Sequence, residues 1–165
     1  MFPGHPERLN SFDYLGTHCY HIRFCTDRRQ KIFTCASAYE LALSQIQRAA
    51  ARERFALLAY CFMPDHVHFV VQGLQDESDL RRFATAAKQL SGYAFSKANG
   101  GARLWQRYFY EHVLRSEETS RLVIRYVLAN PVRAGLVVEP RNYPFLGSDV
   151  FSPEALFEFC DLRGA

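Results

Sequence analysis

The order of the predicted secondary-structure elements indicates an α+β fold, a ferredoxin-like or RRM-like βαββαβ sandwich with an antiparallel sheet. Three observations predict it: alternating apolar runs typical of strands, two long segments with helical apolar spacing, and a short break between two adjacent strands. This order is that of the split βαβ arrangement, to which a further C-terminal helix is added. One sheet face is expected to be covered by helices and the other to be free for a ligand.

The first half of the chain supplies a strand, a helix and a hairpin. Residues 19–26 alternate and are rich in β-forming side chains, and residues 36–54 carry apolar residues at helical spacing. Residues 55–63 and 66–72 are apolar β-type runs separated only by Pro64-Asp65. This spacing predicts a β-hairpin.

The second half supplies a helix, an aromatic strand and a third helix. Residues 79–98 read as a helix that the Asn99-Gly100-Gly101 turn closes, and residues 104–113 look extended. Ser116 with the two following glutamates opens a helix that continues to Ala129. Asn130-Pro131 is expected to interrupt this helix. Two further short helical segments are predicted, over residues 132–136 and 152–159.

Composition favours one soluble domain over residues 1–165, with residues 1–14 and 149–165 as peripheral tails. Hydrophobic residues make up 48% and charged residues 22% of the chain, and the net charge is only +3. Apolar runs are too short to span a bilayer and the N-terminus lacks a signal-peptide pattern, so we predict a cytoplasmic protein. The five cysteines include no Cys-x-x-Cys pair, which argues against a cysteine zinc site or a disulfide framework.

Two pairs of side chains can carry chemistry. His66 and His68 project from the same face of a strand, so their imidazoles can share one metal ion; alternatively, they are polar residues on the solvent side of the hairpin. Tyr126 and Asn130 lie four residues apart and share a helix face. A tyrosine hydroxyl can attack a phosphodiester and an amide oxygen can bind a metal, but from spacing alone core packing of Tyr126 and a helix N-cap at Asn130 explain these residues better.

Longer motifs around these pairs carry a family resemblance. The run YCFMPDHVHFV (60–70) resembles the histidine–hydrophobe–histidine signature of the single-tyrosine HUH transposases. The run YVLANPVRAGLV (126–137) resembles the tyrosine helix of their REP-associated branch, and LWQRYFYEHV (104–113) resembles its tryptophan–glutamine segment. The similarity spans roughly residues 15–137 in the same order. On these motifs the chain is identified as a member of that branch of the IS200-like transposases.

The resemblance implies a metal-dependent single-stranded DNA endonuclease and strand transferase. Tyr126 would be the nucleophile that forms a 5′-phosphotyrosine, and His66 and His68 would bind Mg²⁺ or Mn²⁺. Asn130 would be the third metal ligand, at a place where many relatives carry glutamine. The implied partner is single-stranded or hairpin DNA of the REP-like palindrome type, bound by a monomer or a homodimer.

Basic and aromatic residues between the two motifs are candidates for DNA binding. Trp105 can stack on unpaired bases while Arg103 and Arg107 contact phosphates, and Lys88 and Arg133 are further candidate phosphate contacts. The alternative for the aromatic residues is alternation into the core, and for the basic residues a solvated surface.

The remaining histidines and tyrosines receive lesser roles. Tyr108 and Tyr110 are alternative nucleophiles if Tyr126 is not the one. The other histidines are expected to be structural or to lie on the surface, since none has an evident ligand partner; these are His5, His18, His21 and His112.

Two other function classes are considered, histidine-based nucleotide hydrolases and non-catalytic binding modules. A histidine-triad hydrolase needs a third histidine where this chain has Val70, and two-histidine phosphoesterases need a second histidine motif that the sequence lacks. The other alternative is a non-catalytic, domesticated nucleic-acid-binding module of the same shape, although the presence of both histidines, Tyr126 and Asn130 argues against lost chemistry. Metal-dependent covalent trapping of DNA distinguishes the enzyme from the module.

Overall fold

A computed structural model describes residues 12–162, which form a five-stranded antiparallel sheet with four α-helices. The sheet has the order β4-β1-β3-β2-β5, so the first four strands follow the predicted ferredoxin-like arrangement and the α+β prediction is confirmed. The strands are β1 (Cys19–Cys25), β2 (Phe55–Met63), β3 (His66–Gly73), β4 (Tyr110–Leu114) and β5 (Leu146–Gly147). The helices are α1 (Ala36–Glu53), α2 (Leu80–Ala98), α3 (Glu117–Arg133) and α4 (Pro153–Phe159).

The hairpin of β2 and β3 forms the centre of the sheet, as the sequence predicts. Met63 pairs with His66 in antiparallel register, so Pro64 and Asp65 alone make the turn. Strand β3 lies between β1 and β2 and is covered on both faces, which explains why its sequence is nearly continuous in apolar residues.

Two apolar cores lie on opposite faces of the sheet. Helices α1 and α2 cover one face, where Ile22, Phe69 and Phe83 are fully buried. Helix α3 and the C-terminal segment pack on the other face against Cys61 and Val70. The expectation of a second face free for a ligand is therefore wrong over β2, because α3 occupies it.

Helix α3 continues through Pro131, contrary to the predicted interruption. Proline lacks the N–H that would bond to the Val127 carbonyl four residues earlier. The Asn130 side chain supplies a substitute, since its Nδ2 donates to Val127 O at 3.2 Å. The helix ends after Arg133, and Gly135 then adopts a φ of 71°, a left-handed conformation that glycine accepts readily.

The C-terminal segment is more than a peripheral tail. Ser152 caps α4 by accepting a hydrogen bond from Ala155 N, and Leu156 and Cys160 are buried in the second core. Residues 1–11 and 163–165, the outer parts of the predicted tails, lie outside the described residues. No helix within residues 12–162 is long and apolar enough to cross a membrane.

Candidate active site

The two histidines of β3 project toward α3. They lie on the face that carries the second core, while Val67 between them is buried under α1 and α2. Their ring centroids are 4.9 Å apart, so both imidazoles reach the same small volume. His68 is buried, whereas His66 retains partial exposure.

An acidic neighbour orients His66. Its Nδ1 lies 2.6 Å from Asp65 Oδ1, and a carboxylate can only accept a hydrogen bond, so Nδ1 carries the proton. In the neutral ring Nε2 therefore keeps its lone pair, as a metal ligand must. Arg29 holds Asp65 in turn through an ion pair of 3.0 Å.

His21 of β1 contacts the Nδ1 atom of His68. His21 Nε2 lies 2.9 Å from His68 Nδ1, and the two rings stack with centroids 5.2 Å apart. When His68 donates this hydrogen bond, its Nε2 is free for a metal. The prediction that His21 is only a structural or surface residue is corrected, because it belongs to the site.

The missed contact depends on strand register. Strand β1 pairs with β3 so that Arg23 lies opposite His68 and His21 opposite Val70, which places His21 diagonally beside His68. Only the alternation of β1 hinted at this, since it places His21 and Arg23 on one face.

Burial keeps the imidazoles neutral. Burial, with smaller contributions from the nearby Arg23 and His112, lowers the pKa of His21 to about 4. Burial likewise lowers the pKa of His68 well below its usual value, with His21 adding to the shift. The pKa of His66 is lowered by burial although Asp65 opposes the change. Neutral rings are the form that binds metal ions.

Helix α3 brings Tyr126 to the histidines. The Tyr126 ring centroid lies 6.2 Å from that of His68 and 6.3 Å from that of His21. The Arg133 guanidinium carbon, from the end of the same helix, lies 4.5 Å from the centre of the Tyr126 ring. The structure thus assembles the predicted nucleophile, the predicted histidine pair and one predicted phosphate contact.

A second tyrosine lies on the other side of the site. Tyr110 of β4 has its ring centroid 5.8 Å from that of His21, and the Arg23 guanidinium carbon lies 5.4 Å from its centre. Of the two alternative nucleophiles, Tyr110 is close to the histidines, whereas Tyr108 is exposed on the preceding loop.

The groups that could hold a metal ion at this place are two imidazoles and one amide. No group of three or more histidine, cysteine, aspartate or glutamate side chains within residues 12–162 is arranged to hold a metal ion. Beside His66 and His68, Asn130 of α3 is the predicted third ligand. Its Nδ2 donates to Val127 O, which leaves its Oδ1 as an acceptor.

Two predicted DNA contacts have structural roles instead. Trp105 is only 4% exposed, and its indole N–H donates to Ser91 Oγ at 2.8 Å. The prediction that its ring stacks on bases is wrong, because the ring belongs to the core. Lys88 Nζ donates to the main-chain carbonyls of Gln106 and Arg107, so the predicted phosphate contact is corrected to a tether for this loop.

The other two arginines of the loop remain accessible. Arg103 is largely exposed, although its Nε donates to Trp105 O at 2.9 Å. Arg107 is exposed, and its guanidinium carbon lies 5.5 Å from the centre of the Tyr108 ring. An arginine beside an exposed aromatic ring is a common arrangement for single-stranded nucleic acid.

Comparison with known proteins assigns the family. The family model described as "Transposase IS200 like" matches residues 15–130, a segment that includes the histidine pair, Tyr126 and Asn130. The chain belongs to the IS200-like transposase family. This family holds the REP-associated branch that the sequence motifs resemble.

Curated relatives of this IS200-like transposase chain carry related names. It is 27% identical over 120 residues to the REP-associated tyrosine transposase of Escherichia coli (strain K12), covering 72% of this chain and 68% of that protein. It is 28% identical over 101 residues to the putative REP-associated tyrosine transposase of Haemophilus influenzae, covering 55% and 57%.

Solved structures share the fold of this IS200-like transposase chain. A REP-associated tyrosine transposase bound to a REP hairpin matches with a TM-score of 0.71 at 22% identity, over 84% of this chain and 81% of that one. A putative transposase from Deinococcus radiodurans matches with a TM-score of 0.53 at 21% identity, over 74% and 95%.

Proposed function

We propose that this protein cleaves and rejoins single-stranded DNA at or near a hairpin, with Tyr126 as nucleophile and a divalent metal, Mg²⁺ or Mn²⁺, as cofactor. The observation that carries the proposal is the packing of α3 on the histidine face, which places the Tyr126 ring centroid 6.2 Å from that of His68. Family membership supports a DNA transposition function.

In the proposed step, one bond is exchanged for another at phosphorus. The Tyr126 hydroxyl oxygen attacks the scissile phosphodiester and the bond to the 3′ oxygen breaks, leaving a 5′-phosphotyrosine and a free 3′-hydroxyl. The phenol loses one proton and the departing 3′ oxygen takes up one. Attack by another 3′-hydroxyl reverses the step and rejoins strands without an external energy source, because the phosphotyrosine retains the phosphodiester bond energy.

His66 and His68 would hold the metal through their Nε2 atoms, and Asn130 through Oδ1. When bound, a divalent ion supplies positive charge that polarises a phosphate oxygen. Asp65 accepts from Nδ1 of His66, and His21 would accept from Nδ1 of His68, so that both Nε2 lone pairs would point away from these neighbours. Arg133 adds positive charge at Tyr126, where negative charge develops during attack.

Hairpin DNA is the proposed partner. The similar structure of a REP-associated tyrosine transposase is of a complex with a REP hairpin, which supports the same kind of ligand here. Arg103 and Arg107 lie on the exposed loop before β4 and can contact phosphates, while Tyr108, 61% exposed, can stack on an unpaired base.

Incubation of the full chain with end-labelled single-stranded hairpin oligonucleotides tests this function. We expect cleavage and joined products with Mn²⁺ and neither with EDTA, and no cleavage by a Tyr126→Phe variant that still binds the DNA. Tight binding without cleavage across a broad hairpin panel would instead identify a non-catalytic binding module.

A further inference from the structure

Arg23 of β1 occupies a central place on the histidine face. It pairs with His68 on one side and with Tyr110 on the other in the antiparallel register of the sheet. Its charge lies near enough to lower the pKa values of His21 and His68. The guanidinium is therefore close to the groups that surround Tyr126.

The Arg23 side chain lacks a protein partner for its Nε atom. This atom is buried, and no acceptor within residues 12–162 hydrogen-bonds to it. No carboxylate of the described residues forms an ion pair with Arg23 either, although seven other arginines have one. Asp65, an acidic residue of the same site, already forms an ion pair with Arg29 and contacts His66.

A partly buried arginine that has no acidic partner is suited to bind an anion. Guanidinium stays protonated at any physiological pH, and a partly desolvated cation without a counter-ion destabilises the protein. The Tyr110 ring offers the Arg23 guanidinium a cation–π contact but no negative charge, and Arg133 adds a second positive charge near Tyr126. The unpaired Nε donor fits a non-bridging oxygen of a phosphodiester.

We propose that Arg23 binds the scissile phosphate of single-stranded DNA and stabilises the charge that develops on it during attack by Tyr126. This proposal rests on the proposed function. A phosphate attacked by Tyr126 has to enter beside His21 and His68, and Arg23 lies next to both. Arg23 from the sheet and Arg133 from α3 would then approach the phosphate from two sides.

A chemical double-mutant cycle tests the contact through binding alone. In a Tyr126→Phe background, hairpin oligonucleotides carry an uncharged methylphosphonate in place of one phosphate at a time, and their affinities are compared with and without Arg23→Met. Neutralising the contacted phosphate should weaken binding about tenfold when Arg23 is present and clearly less in Arg23→Met, where Arg133 still approaches the same phosphate. Equal losses in both proteins at every position would overturn the proposal.

A matched variant controls for general charge. Arg28 follows β1 with its side chain 85% exposed, so Arg28→Met removes the same charge from a nearby surface. This variant should keep the full tenfold loss at the contacted phosphate. If Arg28→Met reduced that loss as Arg23→Met does, a general charge effect would replace the proposed contact.

Cleavage kinetics with Tyr126 intact test the catalytic part. Arg23→Lys keeps a charge but loses the planar fork, so single-turnover cleavage should slow at least tenfold while DNA affinity changes less. Parental rates in both Arg23→Lys and Arg23→Met would overturn the catalytic role. If the unmodified chain cleaved no hairpin at all, the proposed function would fail, and the binding cycle would still decide whether Arg23 contacts a phosphate.

Discussion

The Nε2 atom of His21 lies 2.9 Å from the Nδ1 atom of His68. This contact parallels the one between Asp65 and His66, so Nδ1 of each β3 histidine has a neighbour, and Nε2 of His68 is available when its Nδ1 is the donor. In metal sites, such partners fix the tautomer and the orientation of the ligand ring. We therefore expect His21 to act as a positioning residue for His68.

Replacing His21 should weaken metal binding without removing a ligand. His21→Phe keeps a ring that can stack on His68 but has no acceptor, and we expect its Mn²⁺ affinity to fall by about 10–100-fold, measured by electron paramagnetic resonance titration. His112→Phe is the matched control, because His112 lies opposite His21 on β4 with its side chain exposed. Unchanged affinity in a folded His21→Phe variant would contradict the positioning role.

The stability of the metal-free protein should fall as the pH decreases below about 6.5. Burial lowers the pKa of His21 to about 4, so between these values the unfolded chain binds a proton that the folded chain does not. The contribution of His21 to stability, on the order of 3 kcal/mol, is fully present above about pH 6.5 and is lost progressively as the pH falls to about 4.

Urea unfolding in EDTA between pH 7 and pH 5 measures this dependence before most carboxylates titrate. His21→Phe should show a clearly smaller loss of unfolding free energy over the same range, because it removes one of the groups that cause it. Parallel curves for the parent protein and the variant would show that His21 does not titrate as described.

Asn130 should have two separable effects. Asn130→Ala removes the hydrogen bond to Val127 O, which we expect to cost about 1 kcal/mol, and it also removes the Oδ1 donor. Adding Pro131→Ala restores a backbone N–H that can bond to Val127 O. The double variant should recover thermal stability but not Mn²⁺ affinity; recovery of both would exclude Asn130 as a metal ligand.

Trp105 should affect stability rather than DNA binding. Trp105→Phe leaves Ser91 Oγ without its buried donor, so the free energy of unfolding should fall by about 1–3 kcal/mol while hairpin affinity is retained. Arg107→Ala, on the exposed part of the same loop, should show the opposite pattern. Urea unfolding and fluorescence anisotropy with a labelled hairpin measure the two quantities, and an affinity loss confined to Trp105→Phe would restore the stacking role.

Patterns of strand alternation and turn spacing were sufficient to predict most of the fold. The hairpin over residues 55–72 was predicted with its turn because apolar β-type runs with a two-residue break allow few other structures. The same alternation correctly placed His66 and His68 on one face. These features depend only on residues close together in sequence.

Features that depend on long-range contacts were missed. His21 and Arg23 join the site only through the register of β1 against β3, and the sequence of either strand alone does not determine that register. Trp105 is buried through contacts with Ser91 of α2 and with Phe24 and Phe33. Because these residues are distant in sequence, the local pattern left the ring as a candidate for DNA binding. Helix α3 continues through Pro131 because the Asn130 side chain donates to Val127 O in place of the missing backbone N–H. The general rule that proline interrupts a helix does not include such a substitute.

Mapping the covalent adduct tests the central claim most directly. A hairpin oligonucleotide is incubated with the protein and Mn²⁺, the complex is digested, and the modified peptide is sequenced by mass spectrometry. The account predicts a phosphodiester-linked nucleotide on Tyr126, its absence in EDTA and in Tyr126→Phe, and its retention in Tyr110→Phe. An adduct on Tyr110, or one that persists in Tyr126→Phe, would contradict the assignment of the nucleophile.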